Sequence, residues 1–274
     1  MHDIYEGTLF RPPAEAASLI AQLTIGCPTN TCRFCAMYAG KQYRVRDEHA
    51  FARHCDDLVR AYPPDIARVF LADGDSLMVP VNHILSSMNA VRLRFPSARR
   101  FSSYSSAVSI KTKSDDDLRA LKAAGMHTLY LGIESGEAAT LTRMQKRSSP
   151  EDIVLQSKRA LAAGLRLSVT VIVGLGGVSR SHEHAVESAR IVNAIVPTYT
   201  NMLVLMHRGT DLLSEADFAE YTTDHYRREL SEFIARVECT TIFRANHASN
   251  YLPLEGRLPR DRERLVALLA HGLQ

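Results

Sequence analysis

An α/β fold on a parallel sheet, curved into a partial (β/α)6 barrel, is what this chain of 274 residues predicts. Three observations carry the prediction. Short strand-like runs alternate with helical runs six times between Ser18 and about Arg236, which calls for a parallel sheet with helices outside it. The strands have two unlike faces. In Thr128 to Glu134, Leu129, Leu131 and Ile133 share one side and Thr128, Tyr130 and Glu134 the other, and in Arg166 to Val173 four apolar residues oppose Ser168 and Thr170. A doubly wound sheet wants both faces apolar, so a polar second face points to a lumen. An eight-unit barrel takes about 250 residues, and the alternation here stops near Arg236, so six units fit.

In chain order, residues 1–17 hold Pro12-Pro13 and an alanine-rich stretch without periodicity, expected as an arm packed across the domain. Ser18 to Ile25 reads as a strand by its alternation. Asp47 to Tyr62 reads as a helix capped by Asp47 and stopped by Pro63-Pro64. Arg68 to Leu71 is a strand, Pro80 to Phe95 a helix, Arg100 to Tyr104 a strand and Ser114 to Ala124 a helix. After the strand Thr128 to Glu134, Ser149 caps a helix that has Pro150 at its first position and Gly164 after its end. Arg166 to Val173, His182 to Ile195 and Tyr199 to Met206 complete the series as strand, helix and strand. The expected division is an arm (1–17), a barrel (18–236) and a C-terminal extension covering the barrel opening (237–274).

The composition, 46% hydrophobic with 33 basic and 30 acidic residues, is that of an ordinary globular chain. A net charge of +3 is too small to argue for nucleic-acid binding, and the basic runs at Arg99-Arg100 and Arg260 to Arg264 read as a solvated face or helix end. The sequence shows no charged-then-apolar leader and no apolar run long enough for a membrane span, so a cytoplasmic protein is expected. Five cysteines, three of them clustered, suit a reducing compartment rather than a disulfide framework.

The most specific stretch is Gly26-Cys27-Pro28-Thr29-Asn30-Thr31-Cys32-Arg33-Phe34-Cys35, directly after the first strand. A loop this tight aims three thiolates at one point, and thiolate is the ligand of iron-sulfur clusters and of structural zinc. Zinc wants four protein ligands, usually on two paired arms. Only one arm is present here, and Cys55 lies on the apolar face of a helix with Phe51, Leu58 and Val59, where it reads as core. Three cysteines on a cubane leave one iron open to a substrate or cofactor. The loop by itself leaves zinc or another cluster open.

This loop resembles the signature of the radical S-adenosylmethionine (radical SAM) enzymes, in a Cys-x4-Cys-x2-Cys variant where the commonest spacing has three residues between the first two cysteines. The resemblance implies a 4Fe-4S cluster on Cys27, Cys32 and Cys35, S-adenosylmethionine (SAM) on the fourth iron, and Phe34 near the adenine. Three more strand ends resemble family elements. Asp73-Gly74-Asp75 is similar to the Gly-Gly-Glu element that binds the amino group of the methionine moiety, with Asp73 for the first glycine and Asp75 for the glutamate. Gly132-Ile133-Glu134-Ser135-Gly136 resembles the ribose-binding strand, with a salt bridge from Glu134 to Lys146 or Arg143 as the plainer reading. Val173-Gly174-Leu175-Gly176-Gly177 resembles the Gly-Leu-Pro-Gly turn, although Gly176 replaces the proline and no acid follows. The likeness covers Ser18 to about Met206 and implies the radical SAM partial barrel, with chemistry at the C-terminal strand ends.

The family's common first step is electron transfer from the reduced cluster to SAM, giving methionine and a 5′-deoxyadenosyl radical that takes a hydrogen atom from substrate. An external one-electron donor such as flavodoxin or ferredoxin is implied. The likeness to oxygen-independent coproporphyrinogen oxidases is general only, since Met37 stands where they have a further cysteine, and the subfamily stays unassigned. The length leaves no room for a cobalamin or RNA-binding domain, which argues against the methylase and methylthiolation branches. The contrasting reading is a zinc- or cluster-containing binding or sensing protein without SAM chemistry.

For the substrate, His207-Arg208-Gly209-Thr210 at the sixth strand end puts an imidazole and a cation at the barrel mouth. The polar stretch from Arg244 to Tyr251 follows an apolar strand-like run. Arg244, Asn246, His247 and Asn250 are therefore expected to line a pocket with His207 and Arg208, suited to a small polar substrate, an anionic one included. The plainer reading of this stretch is a solvated loop.

Overall fold

Ten strands are present among residues 4–271, the part of the chain that the computed structural model describes. They are β1 (Leu19–Gln22), β2 (Thr24–Ile25), β3 (Arg44–Val45), β4 (Arg68–Ala72), β5 (Arg100–Ser105), β6 (Met126–Glu134), β7 (Arg166–Val173), β8 (Tyr199–Val204), β9 (Thr241–Ala245) and β10 (Leu254–Leu258). Eight of them form one mostly parallel sheet in the order β1-β4-β5-β6-β7-β8-β9-β10, and β2 pairs with β3. The chain divides into two units. One holds the described residues up to 30 with 37–131 and 159–166; the other holds 31–36, 132–158 and the described residues from 167 onward.

In the first unit β1, β4, β5 and β6 run parallel, with Ile20 opposite Phe70, Phe70 opposite Ser102 and Tyr104 opposite Tyr130. One face carries Leu19, Ala21, Val69, Leu71, Phe101, Leu129 and Leu131, all buried. The helices α1 (Glu48–Ala61), α2 (Val81–Arg94) and α4 (Asp115–Ala123) bury Phe51, Leu58, Ile84, Met88, Val91, Leu118 and Leu121, and α1 packs on β1. Removing such side chains from water is worth about 1.5–3 kcal/mol each. The expected start signals act as caps. Asp47 accepts a hydrogen bond from the Ala50 N–H, and Ser114 and Asp117 form a reciprocal capping box.

The second face of this unit is mixed, and the N-terminal arm covers it. Ile20, Phe70 and Ala72 pack with Tyr5, Leu9, Tyr104 and Tyr130. The Phe70 and Tyr104 rings meet edge-on at 5.0 Å, Tyr130 OH donates to Glu15 Oε1 at 2.7 Å, and Tyr5 OH donates to the Ile20 carbonyl at 3.1 Å. The part-buried Tyr5 and Tyr130 rings thus keep their hydroxyls on polar partners.

One expectation needs correction. Ser18 to Ile25 is not a single strand: the ladder leaves the main sheet at Leu23, whose N–H bonds the Ala72 carbonyl, and β2 turns to pair antiparallel with β3. Pairing with Arg44–Val45 closes the excursion of chain that carries the cysteines, a contact that alternation along eight residues cannot foretell.

His54, on α1 and 2% exposed, accepts the Gln22 N–H at Nε2 over 3.0 Å. Burial, with Arg46 adding to it, lowers its pKa to about 4 from 6.5. The group is neutral when folded and protonates more readily when unfolded. Its contribution is therefore complete above about pH 6.5 and is lost as the pH falls towards 4. Between pH 7 and pH 5 this is about 2 kcal/mol. Urea denaturation at the two pH values should show that loss, and His54→Gln, which keeps an acceptor for Gln22, should remove most of it. An unchanged pH dependence in the variant would assign the effect to another group.

In the second unit β7, β8 and β9 run parallel and β10 closes the edge antiparallel to β9. Helices α3 (Ala107–Lys111), in the first unit, and α5 (Ala138–Arg143), in the second, are short. The helix α6 (Pro150–Ala162) starts at Ser149, whose Oγ accepts the Asp152 N–H, and ends before Gly164, at φ +83°. The long pair α7 (Ser181–Ile195) and α9 (Thr223–Arg236) pack together, followed by α10 (Arg262–His271) on α9, with the one-turn α8 (Ala216–Ala219) before α9. Leu167, Val169, Val171 and Val173 are fully buried, as their shared face predicts. A second apolar cluster joins Met144, Leu175, Leu205, Leu212 and Phe218, with Phe34 and Ile172 packed against it. Among the described residues no helix is long and apolar enough to cross a membrane.

Candidate cofactor and substrate site

The cysteine loop is entered through a turn that only glycine allows at two places. Gly26 adopts φ +75°, and a Cβ at Gly74 would lie 2.7 Å from Cys27 Cβ. Asp73, fully buried, holds this entry: its Oδ2 accepts the Gly26 N–H at 3.1 Å, the Gln22 amide at 3.2 Å and the Lys41 ammonium at 2.8 Å. Farther along, the Cys35 N–H bonds the Cys32 carbonyl and the Arg33 N–H bonds the Met144 carbonyl, each at 3.1 Å. The Arg33 guanidinium donates to Glu215 at 2.6 Å and reaches Asp211 at 3.3 Å, and Glu215 is shared with Arg143 at 2.6 Å. These two arginines hold the Glu215 carboxyl below its ordinary pKa.

None of the five cysteines is in a disulfide, and Cys27, Cys32 and Cys35 are half-buried. Among the described residues no three or more His, Cys, Asp or Glu side chains are drawn together as a closed metal site. The bonds to a metal ordinarily supply the free energy that closes such a loop. Cys55 is fully buried on α1, where burial pushes its thiol up to about 12, and burial also raises Cys239. Neither environment favours a thiolate.

Asp75 is 6% exposed and accepts a hydrogen bond from Ser106 Oγ. Buried Lys113 lies in its field, and the Tyr43 phenol is raised by burial and then by the charges of Asp75 and Cys27. Glu134 ends β6 with its backbone turned to φ +62°, and Lys146 Nζ donates to its Oε1 at 3.0 Å, so the plainer reading of Glu134 is realised for one of its two oxygens. A Cβ at Gly132 would fall 2.1 Å from Glu134 Oε1, which explains the glycine. The Ser135 hydroxyl accepts the Glu137 N–H at 2.9 Å. At the end of β7, Gly174 has φ +86°, Leu175 is buried in the cluster that also holds Phe34, and a Cβ at Gly176 would meet the Arg180 carbonyl at 2.8 Å.

The expected substrate residues separate into two groups. His207 Nδ1 is buried and has no hydrogen-bond partner among the described residues, burial lowers its pKa, and Arg208 is exposed. The tail residues are engaged locally. Arg244 and Asn246 both donate to Glu255, and the Arg244 guanidinium lies 4.9 Å from the Tyr199 ring centroid. Asn250 Nδ2 donates to the Met202 carbonyl at 3.0 Å, and Ser249, held by His247 Nδ1, accepts the Val204 N–H at 3.1 Å. The tail is thereby stitched to β8 through its own polar side chains.

The model of the radical SAM superfamily matches residues 22–189, more than half of the chain. The chain belongs to the radical SAM superfamily. Its members are enzymes that use a 4Fe-4S cluster and SAM, and those are the cofactors of this one. The match speaks against a zinc-containing sensor. A Pyrococcus horikoshii protein named an uncharacterized methyltransferase is 24% identical over 240 residues, covering 83% of this chain and 50% of that protein. Coproporphyrinogen III oxidase (HemN) from Escherichia coli, a radical SAM enzyme, matches at 16% identity with a TM-score of 0.59, over 80% of this chain and 51% of that one. Methylornithine synthase (PylB) matches at 14% identity with a TM-score of 0.56, over 81% and 63%. At such identities the structural likeness speaks for the fold, the α/β partial barrel that the strand faces predict. The chain spans about half the length of the curated relative it matches.

The residues fit the radical SAM cofactors on their own chemistry. Three cysteines outside any disulfide occupy one short loop, and glycines keep Cβ atoms away from Cys27 and Glu134. Sequence reasoning passed over Lys113, Ser106, His184 and Glu229. For Glu229 a signal existed, since it lies three residues after Tyr226 and four before Phe233, on the buried face of α9.

Proposed function

We propose that this radical SAM enzyme holds its cluster on Cys27, Cys32 and Cys35, binds SAM at the open iron, and abstracts a hydrogen atom from a small polar substrate. The observation that carries this reading is the three-thiol loop in a chain of this superfamily, with no fourth cysteine nearby fit to be a ligand. When bound and reduced, the cluster supplies the electron that cleaves SAM to methionine and a 5′-deoxyadenosyl radical. An external one-electron donor restores it. The protein's own part is to fix and desolvate. Asp75 takes the methionine ammonium, Glu134 the ribose hydroxyls, and Phe34 with Leu175, Gly174 and Gly176 offers an apolar and backbone surface to the adenine. His207 and Arg208 face the substrate, because His207 has a buried nitrogen that nothing among the described residues satisfies.

The test is anaerobic reconstitution with iron, sulfide and zinc analysis, followed by reduction in the presence of SAM and assay of 5′-deoxyadenosine. Asp75→Ala and Glu134→Ala should keep full iron and weaken SAM binding by about 1–3 kcal/mol each. Wild-type SAM affinity in both variants would remove these two roles. The name of the Pyrococcus relative favours a second reading, methyl transfer from SAM. S-adenosylhomocysteine among the products, in place of 5′-deoxyadenosine and methionine, would decide for it.

A further inference from the structure

A buried carboxylate outside all of these motifs joins two of the strand ends. Glu229, on α9 and 2% exposed, receives donors on both oxygens. Its Oε1 accepts the Gly174 N–H at 2.8 Å, and its Oε2 accepts Ser181 Oγ–H at 2.6 Å and Tyr221 OH at 2.9 Å. His184, 1% exposed on α7, lies with Nδ1 3.0 Å from Oε1, a close polar approach off the line of a hydrogen bond. The other nitrogen of the same ring, Nε2, is 3.4 Å from the Glu134 carbonyl oxygen.

Both places reached in this way have left-handed backbone. Glu134 has φ +62° and Gly174 φ +86°, and a non-glycine residue in the left-handed region persists only where its surroundings hold it. The glycine turn after β7 is followed by no acid of its own, and the carboxylate that takes its N–H comes from a helix 55 residues farther along.

We propose that Glu229 is a positioning residue for SAM: it holds the Gly174 turn directly and the Glu134 strand end through His184, setting the two to one another before the ligand arrives. The inference rests on the reading that Glu134 and Gly174 touch SAM.

The experiment compares Glu229→Gln, His184→Leu and Tyr221→Phe in reconstituted protein, measuring iron content, SAM dissociation constant by equilibrium dialysis, and thermal midpoint. Glu229→Gln replaces an acceptor oxygen with an amide that faces donors, and should raise the SAM dissociation constant by about tenfold or more at unchanged iron content. His184→Leu leaves Glu229 three donors and should weaken SAM in the same way, which keeps the test open if Glu229→Gln does not fold. Tyr221→Phe removes one donor but neither link, so it should lower the thermal midpoint and leave SAM affinity within twofold. SAM affinity that follows the thermal midpoint across all three variants, or that is unchanged in folded Glu229→Gln and His184→Leu while Glu134→Ala loses it, would overturn the positioning role alone. Unchanged affinity in Glu134→Ala as well would instead remove the parent reading.

Discussion

Serine in place of any one of Cys27, Cys32 and Cys35 should abolish the iron-sulfur charge-transfer absorbance and bring iron and sulfide to background, whereas Cys55→Ala and Cys239→Ser should keep both. The expectation follows from donor chemistry. Thiolate is the ligand such clusters select, a serine alkoxide is a poor substitute, and with three protein ligands there is no spare. Cys55 and Cys239 lie where burial raises the thiol pKa, so neither is poised to replace a lost ligand. Because a metal-binding loop is closed by the ligand bonds themselves, loss of one should release the whole cluster rather than a single iron. Stoichiometric zinc without iron in the wild-type protein would contradict the assignment, as would bleaching by either control.

The second large effect should come from Asp73. Alanine there leaves Lys41, 13% exposed, with the Thr8 carbonyl but no counter-charge, and takes an acceptor from the Gly26 N–H and from the Gln22 amide. Breaking a buried pair on one side costs about 3–5 kcal/mol, since the remaining charge stays desolvated. Chemical denaturation should show a loss of that order. Lys41→Met in the same protein should recover part of it, because the stranded ammonium goes with the side chain. A loss below about 1 kcal/mol, with no recovery in the double variant, would mean that Lys41 swings to water at no cost. Asp73 departs from the glycine of the family element, and its side chain accounts for the departure: it ties the strand end after β4 to the first residue of the cysteine loop.

The order of elements, the helix starts at Asp47, Ser114 and Ser149, the stop at Gly164 and the tight run of cysteines were legible in the sequence. Each depends on residues within a few positions of one another. A cap needs its own N–H three residues on, and a three-thiol loop needs only its spacing. Face alternation likewise placed Leu129, Leu131 and Ile133 in the core before any partner was known.

What needed the tertiary structure is whatever depends on a partner distant in the chain. The break at Leu23 exists because Thr24 and Ile25 find Arg44 and Val45. Parity along β6 reaches Glu134, but only the structure shows its left-handed backbone, its carbonyl 3.4 Å from His184 Nε2 and its carboxylate on Lys146. The tail appeared as a row of polar residues ready for substrate, but Asn250 and Ser249 answer backbone groups of β8, and Arg244 and Asn246 answer Glu255. A sequence states which donors and acceptors a chain carries. Which of them meet is decided by folding, because a buried polar group must be satisfied by whatever the packing brings within about 3 Å of it. On that ground the sequence alone determined this protein's family, its cofactors and the strand ends where they are expected, while the structure alone decided that Glu229, 55 residues beyond Gly174, stands beside it.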